Sequence, residues 1–100
     1  DVLIPIYGHA GDGNLHLNVM YDKSDKNQEK IAHDAIKECF EEVVALGGTI
    51  SGEHGIGAAK NDYMNIQFSD FEVQVLKDMK NAFDRDGLFN PFKVFPSSMR

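Results

Sequence analysis

Two apolar runs joined by a glycine-rich turn constrain this chain more than any other feature. Val2 to Tyr7 is apolar and rich in β-branched residues, which predicts a strand. Leu15 to Tyr21 alternates, with Leu15, Leu17 and Val19 on one face and His16 and Asn18 on the other. Between the two runs lies Gly8-His9-Ala10-Gly11-Asp12-Gly13-Asn14, whose three glycines mark a tight, specially shaped connection. The pattern predicts a β-hairpin across the glycine-rich turn. Pro5 has no N–H to donate and is expected at an edge or on a strand paired on one side.

Helices follow. Asp25 is placed to cap a helix, with Gln28 at the capping-box position. Ala32, Ile36, Cys39, Phe40, Val43 and Leu46 then recur at helical spacing. Gly47-Gly48 ends that helix, with Gly47 suited to the left-handed position after the last turn. Thr49-Ile50-Ser51 is β-prone and predicts a short third strand. A short helix is expected from about Gly57 to Met64. Ser69 and Glu72 form a capping box for a last helix, whose apolar stripe is Phe71, Val75, Leu76, Met79, Ala82 and Phe83. Asp86-Gly87 closes it and Asn90-Pro91 stops it. The tail to Arg100 is irregular and is expected to cross to another domain. The order β-β-α-β-α-α predicts an α+β fold, a small, mainly antiparallel sheet with helices packed on it.

Composition narrows the function. Sixteen acidic and ten basic residues give a formal charge of −6, with no basic cluster, so a nucleic-acid partner is not expected. No apolar run is long enough to span a membrane, and no secretory signal is visible. The single cysteine, Cys39, points to a reducing compartment. It reads as a buried structural thiol on a helix. The chain opens on strand-like residues with no polar lead-in, as expected of a piece of a longer protein.

Three of the four histidines sit in the two glycine-rich loops. His9 and His16 bracket six residues, and in a hairpin such positions can face each other, close enough for two imidazoles to share a metal ion. Glu53, in the second loop Gly52-Glu53-His54-Gly55-Ile56-Gly57, could add a carboxylate oxygen. Two imidazoles and one carboxylate leave coordination positions open. His54 can share that site if the chain bends at Gly52 and Gly55. Beside a bound cation an imidazole is held neutral, the form a general base needs. Asn18 shares a strand face with His16 and could bond a substrate oxygen. The plainer readings are a histidine as an ordinary loop residue, Asp12 as a brace for its turn, and His33 as a surface residue on a polar helix face. Neither loop carries a complete phosphate-binding pattern.

The first loop with Leu15-His16, together with Ser51-Gly52-Glu53-His54-Gly55-Ile56-Gly57, resembles the paired signature of the FAD-linked oxidase C-terminal domain. This is the cap, or substrate, domain of the vanillyl-alcohol-oxidase superfamily. The pattern is most similar to D-2-hydroxy-acid dehydrogenases of the D-lactate, glycolate and D-2-hydroxyglutarate classes. The resemblance implies that residues 1–100 are the C-terminal portion of a partial ferredoxin-like cap domain, with the FAD-binding domain outside the chain and a partner to it. It implies that His9, His16 and Glu53 bind a divalent metal (Zn²⁺, Mn²⁺ or Fe²⁺), that His54 is the general base, and that Asn18 contacts substrate. The implied reaction oxidises a small 2-hydroxy acid to a 2-oxo acid by hydride transfer to FAD. One departure stands out: Asn90-Pro91-Phe92-Lys93 carries Phe92 where the family often has glycine. A cytoplasmic location is expected, with any membrane association coming through partner subunits. An apolar surface that would meet absent domains is expected to drive self-association. Two other readings stay open: a free-standing divalent-metal hydrolase with water activated by His54, and a non-catalytic metal-binding domain.

Overall fold

The structure, a computed structural model, describes residues 2–99. Asp1 and Arg100, the latter the end of the expected tail, lie outside the described residues. The elements are β1 (Ile6–His9), a 3₁₀ helix (Ala10–Asp12), β2 (Asn14–Leu17), α1 (Lys26–Ala45), a second 3₁₀ helix (Asn61–Tyr63), α2 (Met64–Gln67), α3 (Asp70–Phe83) and a third 3₁₀ helix (Ser97–Met99). Among the described residues the architecture is α+β, with one small antiparallel sheet and three α-helices. Among the described residues no helix is long and apolar enough to cross a membrane.

β1 and β2 pair with Ile6 opposite Leu17, Tyr7 opposite His16, Gly8 opposite Leu15 and His9 opposite Asn14. The same register continues to a bridge between Leu3 and Met20, past Pro5. Alternation correctly groups Leu15 with Leu17; both line the open cavity shared with α1, where Leu15 stays 60% and Leu17 37% exposed. Asn14 and His16, on the opposite face, are the half-buried ones. The polar face is covered because the second glycine-rich loop packs against it.

α1 begins as expected. The Asp25 carboxylate accepts from the backbone N–H groups of Asn27 and Gln28. Gln28 does not complete a reciprocal box; its amide oxygen accepts from Asp22 N instead. At the other end Gly48 N donates to Val43 O and Gly47 N to Val44 O, the paired bonds that close a helix through a left-handed Gly47 at φ +84°. Ser69 and Glu72 form the full capping box at the start of α3. Its closing residue is Asp84 rather than Asp86. The Asp84 carboxylate accepts from Leu88 N at 2.9 Å and Phe89 N at 3.0 Å and pairs with Lys80.

Two further expectations differ. Thr49–Ser51 is not a strand, because side chains take the backbone groups that a ladder would use. Gln67 Oε1 accepts from Ile50 N at 3.0 Å, and Lys60 Nζ donates to Ile50 O at 2.9 Å. The helix expected from Gly57 is turns, then the second 3₁₀ helix and α2. The core is small: Ala32, Ile50, Met64 and Val73 are its buried apolar residues. Helices pack mainly on one another, α1 with α2 and α2 with α3, and a cavity separates α1 from the hairpin. The stripe of α3 is not core. It buries Val73, while Phe71, Val75, Met79 and Phe83 face outward, Phe83 being 89% exposed.

The tail, expected to leave for another domain, folds back as far as it is described. Val94 N donates to Gly57 O at 2.7 Å, and Ser97 donates to the Asp62 carboxylate through N and Oγ. Phe92 sits at φ +62°, so it adopts the left-handed backbone that glycine takes at no steric cost.

Two stability predictions follow from these contacts. The left-handed conformation costs a non-glycine residue about 1–2 kcal/mol, against roughly 0.5–1 kcal/mol of glycine entropy. Phe92→Gly is therefore expected to stabilise by up to about 1 kcal/mol, seen as a higher urea midpoint at unchanged slope. The Lys80 ammonium, then the Leu88 and Phe89 N–H groups, hold the Asp84 carboxyl below its ordinary 3.8. A depressed folded pKa contributes stability above the unfolded value that is lost as pH falls through the folded one. Asp84→Asn should thus lower the melting temperature by several degrees at neutral pH. The gap from wild type should close as pH drops below 3.8.

Candidate functional site

The hairpin presents Tyr7, His9, Asn14 and His16 on one face, since cross-strand partners share a side. The second loop brings Glu53 and His54 to that face. One oxygen is the meeting point: Glu53 Oε1 lies 3.0 Å from His16 Nε2, 3.6 Å from His9 Nε2 and 3.9 Å from His54 Nε2. Asn14 Nδ2 donates to the same oxygen at 3.1 Å.

Ligand atoms of His9, His16 and Glu53 all fall within 4.8 Å of one another. Around a four-coordinate ion with bonds of about 2.1 Å, donors stand about 3.4 Å apart. Two borderline nitrogens and one hard oxygen at these separations fit a single divalent cation and leave positions open. The cluster lies at the surface. His16 is its most covered member, its side chain 17% exposed, whereas His9 is 62% and His54 70% exposed.

Ring stacking organises the rest. His16 stacks on Tyr7 at 5.2 Å and on His54 at 4.9 Å, each pair inclined by 29°. Glu53 and His54 therefore both reach one site despite being neighbours, with the bend completed at Gly55, φ +75°. The bend is pinned by Ser51 Oγ, which accepts from Gly55 N at 2.8 Å. Asn18 stands apart from the three-atom cluster; its amide donates to Tyr7 Oη at 3.2 Å. All five expected site residues line one cavity of about 880 Å³, whose apolar wall is Ile36, Phe40 and Val43 of α1. Lys60 also lines it, and burial pushes its ammonium pKa down.

Sequence reasoning did not single out Asn14 or Tyr7. Tyr7 could have been found from the hairpin register, which sets it opposite His16. The same register sets Asn14 opposite His9, although asparagine after Gly-Asp-Gly also reads as ordinary turn chemistry.

The FAD linked oxidases, C-terminal domain family model matches residues 1–94. The chain belongs to that family. It is 39% identical over 100 residues to "Glycolate oxidase subunit GlcD" of Bacillus subtilis, covering 100% of this chain and 21% of that protein. It is 40% identical over 97 residues to "D-2-hydroxyglutarate dehydrogenase" of Stutzerimonas stutzeri, covering 95% of this chain and 21% of that one. It is 34% identical over 90 residues to "Probable D-lactate dehydrogenase, mitochondrial" of Danio rerio, covering 90% of this chain and 18% of that one. The chain thus spans about a fifth of the length of these relatives.

The Asn14 amide, followed by the charges of His9, His16 and His54, holds the Glu53 carboxyl below its ordinary 4.5 against partial desolvation. In the metal-free protein, the carboxyl carbon of Glu53 followed by NMR should therefore titrate below 4.5. In Asn14→Ala its midpoint should move back up.

Proposed function

We propose that this chain is the C-terminal substrate- and metal-binding portion of a longer FAD-dependent D-2-hydroxy-acid dehydrogenase. The reaction is the oxidation of a 2-hydroxy acid to a 2-oxo acid. The observation that carries this reading is the convergence of His9, His16 and Glu53 donor atoms beside His54, in a chain of this family. The printed names of relatives, which include glycolate oxidase, D-2-hydroxyglutarate dehydrogenase and D-lactate dehydrogenase, support the substrate class. FAD, held mainly by other parts of the longer protein, supplies the two-electron acceptor.

His9, His16 and Glu53 are the proposed ligands of a divalent ion, Zn²⁺, Mn²⁺ or Fe²⁺ being compatible with the donor set. Such an ion supplies Lewis acidity that favours loss of a hydroxyl proton. His54 Nε2, stacked on His16, takes that proton as general base. Asn18, its amide turned by Tyr7, orients the substrate through its remaining polar groups. The apolar wall from α1 excludes water from one side of the site. The exposed stripe of α3 and the exposed apolar residues of the hairpin are proposed to meet other parts of the longer protein, or a second copy when those parts are absent.

Calorimetric titration with Zn²⁺ or Mn²⁺ should give one ion per chain. His16→Ala should weaken binding beyond the ~10–100-fold that changes around a ligand cause. In the whole flavoprotein, His54→Ala should cut kcat for 2-hydroxy acids by about 10²–10⁴-fold with flavin content unchanged. Hydrolysis of simple esters by the metal-loaded, flavin-free protein would favour a metal hydrolase instead. Wild type that binds no metal and oxidises none of glycolate, D-lactate and D-2-hydroxyglutarate would overturn the reading.

A further inference from the structure

We infer that Asn14 is a positioning residue for the Glu53 carboxylate, locking the two glycine-rich loops into one donor array. The inference rests on the metal site proposed above. Asn14 begins β2, pairs with His9 across the hairpin, and donates from Nδ2 to Glu53 Oε1 at 3.1 Å. Its place is defined by glycines on two sides. A Cβ on Gly8 would stand 2.2 Å from Asn14 O, and a Cβ on Gly52 would stand 2.2 Å from Asn14 Oδ1. Neither separation is sterically possible. Gly8 comes from the same hairpin, and Gly52 immediately precedes Glu53. The second loop therefore comes close enough to the hairpin that the Asn14 side-chain oxygen occupies the space a Cβ at position 52 would need.

Turn formation does not explain the residue. Asparagine is favoured in turns partly because it tolerates the left-handed conformation. Asn14 is not among the described non-glycine residues with positive φ, which are Asn90, Phe92 and Val94. Its amide has a fixed direction instead. Oδ1 lies against Gly52, and Nδ2 faces the carboxylate; reversing them would set oxygen against oxygen. With one lone pair of Oε1 taken by this N–H, the carboxylate keeps that oxygen toward His16 and His9. A cation then meets donors already aimed, and a hydrogen-bonded outer partner of this kind tunes affinity.

The test measures metal affinity by chelator competition in the whole protein, alongside thermal melting. Asn14→Ala should weaken Zn²⁺ binding about 10–100-fold. Gly52→Ala should do the same, because its methyl displaces the Asn14 amide. The double variant should bind no more weakly than Asn14→Ala alone, since the clash disappears with the side chain. A generally destabilising pair would instead show losses that multiply and follow the melting temperature. If Asn14→Ala melts too early to titrate, Asn14→Ser, polar but too short to reach Glu53, carries the same expectation. Wild-type affinity in these Asn14 variants, or multiplying losses, overturns the role of Asn14 while leaving the metal site standing. Absence of metal binding in wild type overturns both.

Discussion

The site depends on one contact between loops that are distant in sequence. Glu53 Oε1 gathers three imidazole nitrogens and one amide nitrogen, and it can do so only because Gly52 lets the second loop touch the hairpin at Asn14. The second loop is also held at its two ends. Lys60 and Gln67 clamp the backbone of Ile50 on its N-terminal side, and Val94 holds the Gly57 carbonyl on its C-terminal side. With so few buried apolar residues, the loop's position rests on these directed bonds more than on burial. Hydrogen bonds weaken steeply away from their preferred distance and angle, whereas apolar burial is non-directional.

That dependence explains why the alternating pattern alone leaves the covered face undecided. Alternation along β2 tells which side chains share a face; it does not tell which face is covered. Here the polar Ser51–Gly57 loop covers His16, whereas Leu15 and Leu17 border an open cavity and stay exposed. The same holds for α3. Helical spacing shows that Phe71, Val75, Met79 and Phe83 lie together, yet Val73 is the residue that meets the core. A radius of gyration of 15.3 Å, against about 13 Å for a typical domain of 100 residues, agrees with so open an arrangement.

How much was legible follows from range. Local signals could be read directly: the Asp25 cap, the Ser69–Glu72 box and the Gly47 helix end each involve neighbours a few residues apart. The pairing of His9 and His16 was legible because a hairpin makes the ends of its loop adjacent. Glu53 and His54 were legible as candidates from their glycine-rich setting, but not the way they reach the hairpin. Ile50 was misassigned because its strand-like sequence is overruled by Lys60 and Gln67, 10 and 17 residues on. Asp84 was missed because a carboxylate capping two later N–H groups leaves no periodic trace.

The exposed position of the cluster bears on how it could work. A carboxylate facing several imidazoles near water gains little from Coulomb attraction alone, since solvent screens it. The useful property is direction: the Asn14 bond and the Gly52 contact hold the three donor atoms of the proposed site toward one another. The exposed leucines and phenylalanines have the complementary consequence. Covering them with further protein would lower the local dielectric around the cavity and strengthen each interaction of Glu53, His9 and His16. The geometry is thus set within this chain, while the strength of its electrostatics depends on what packs against it.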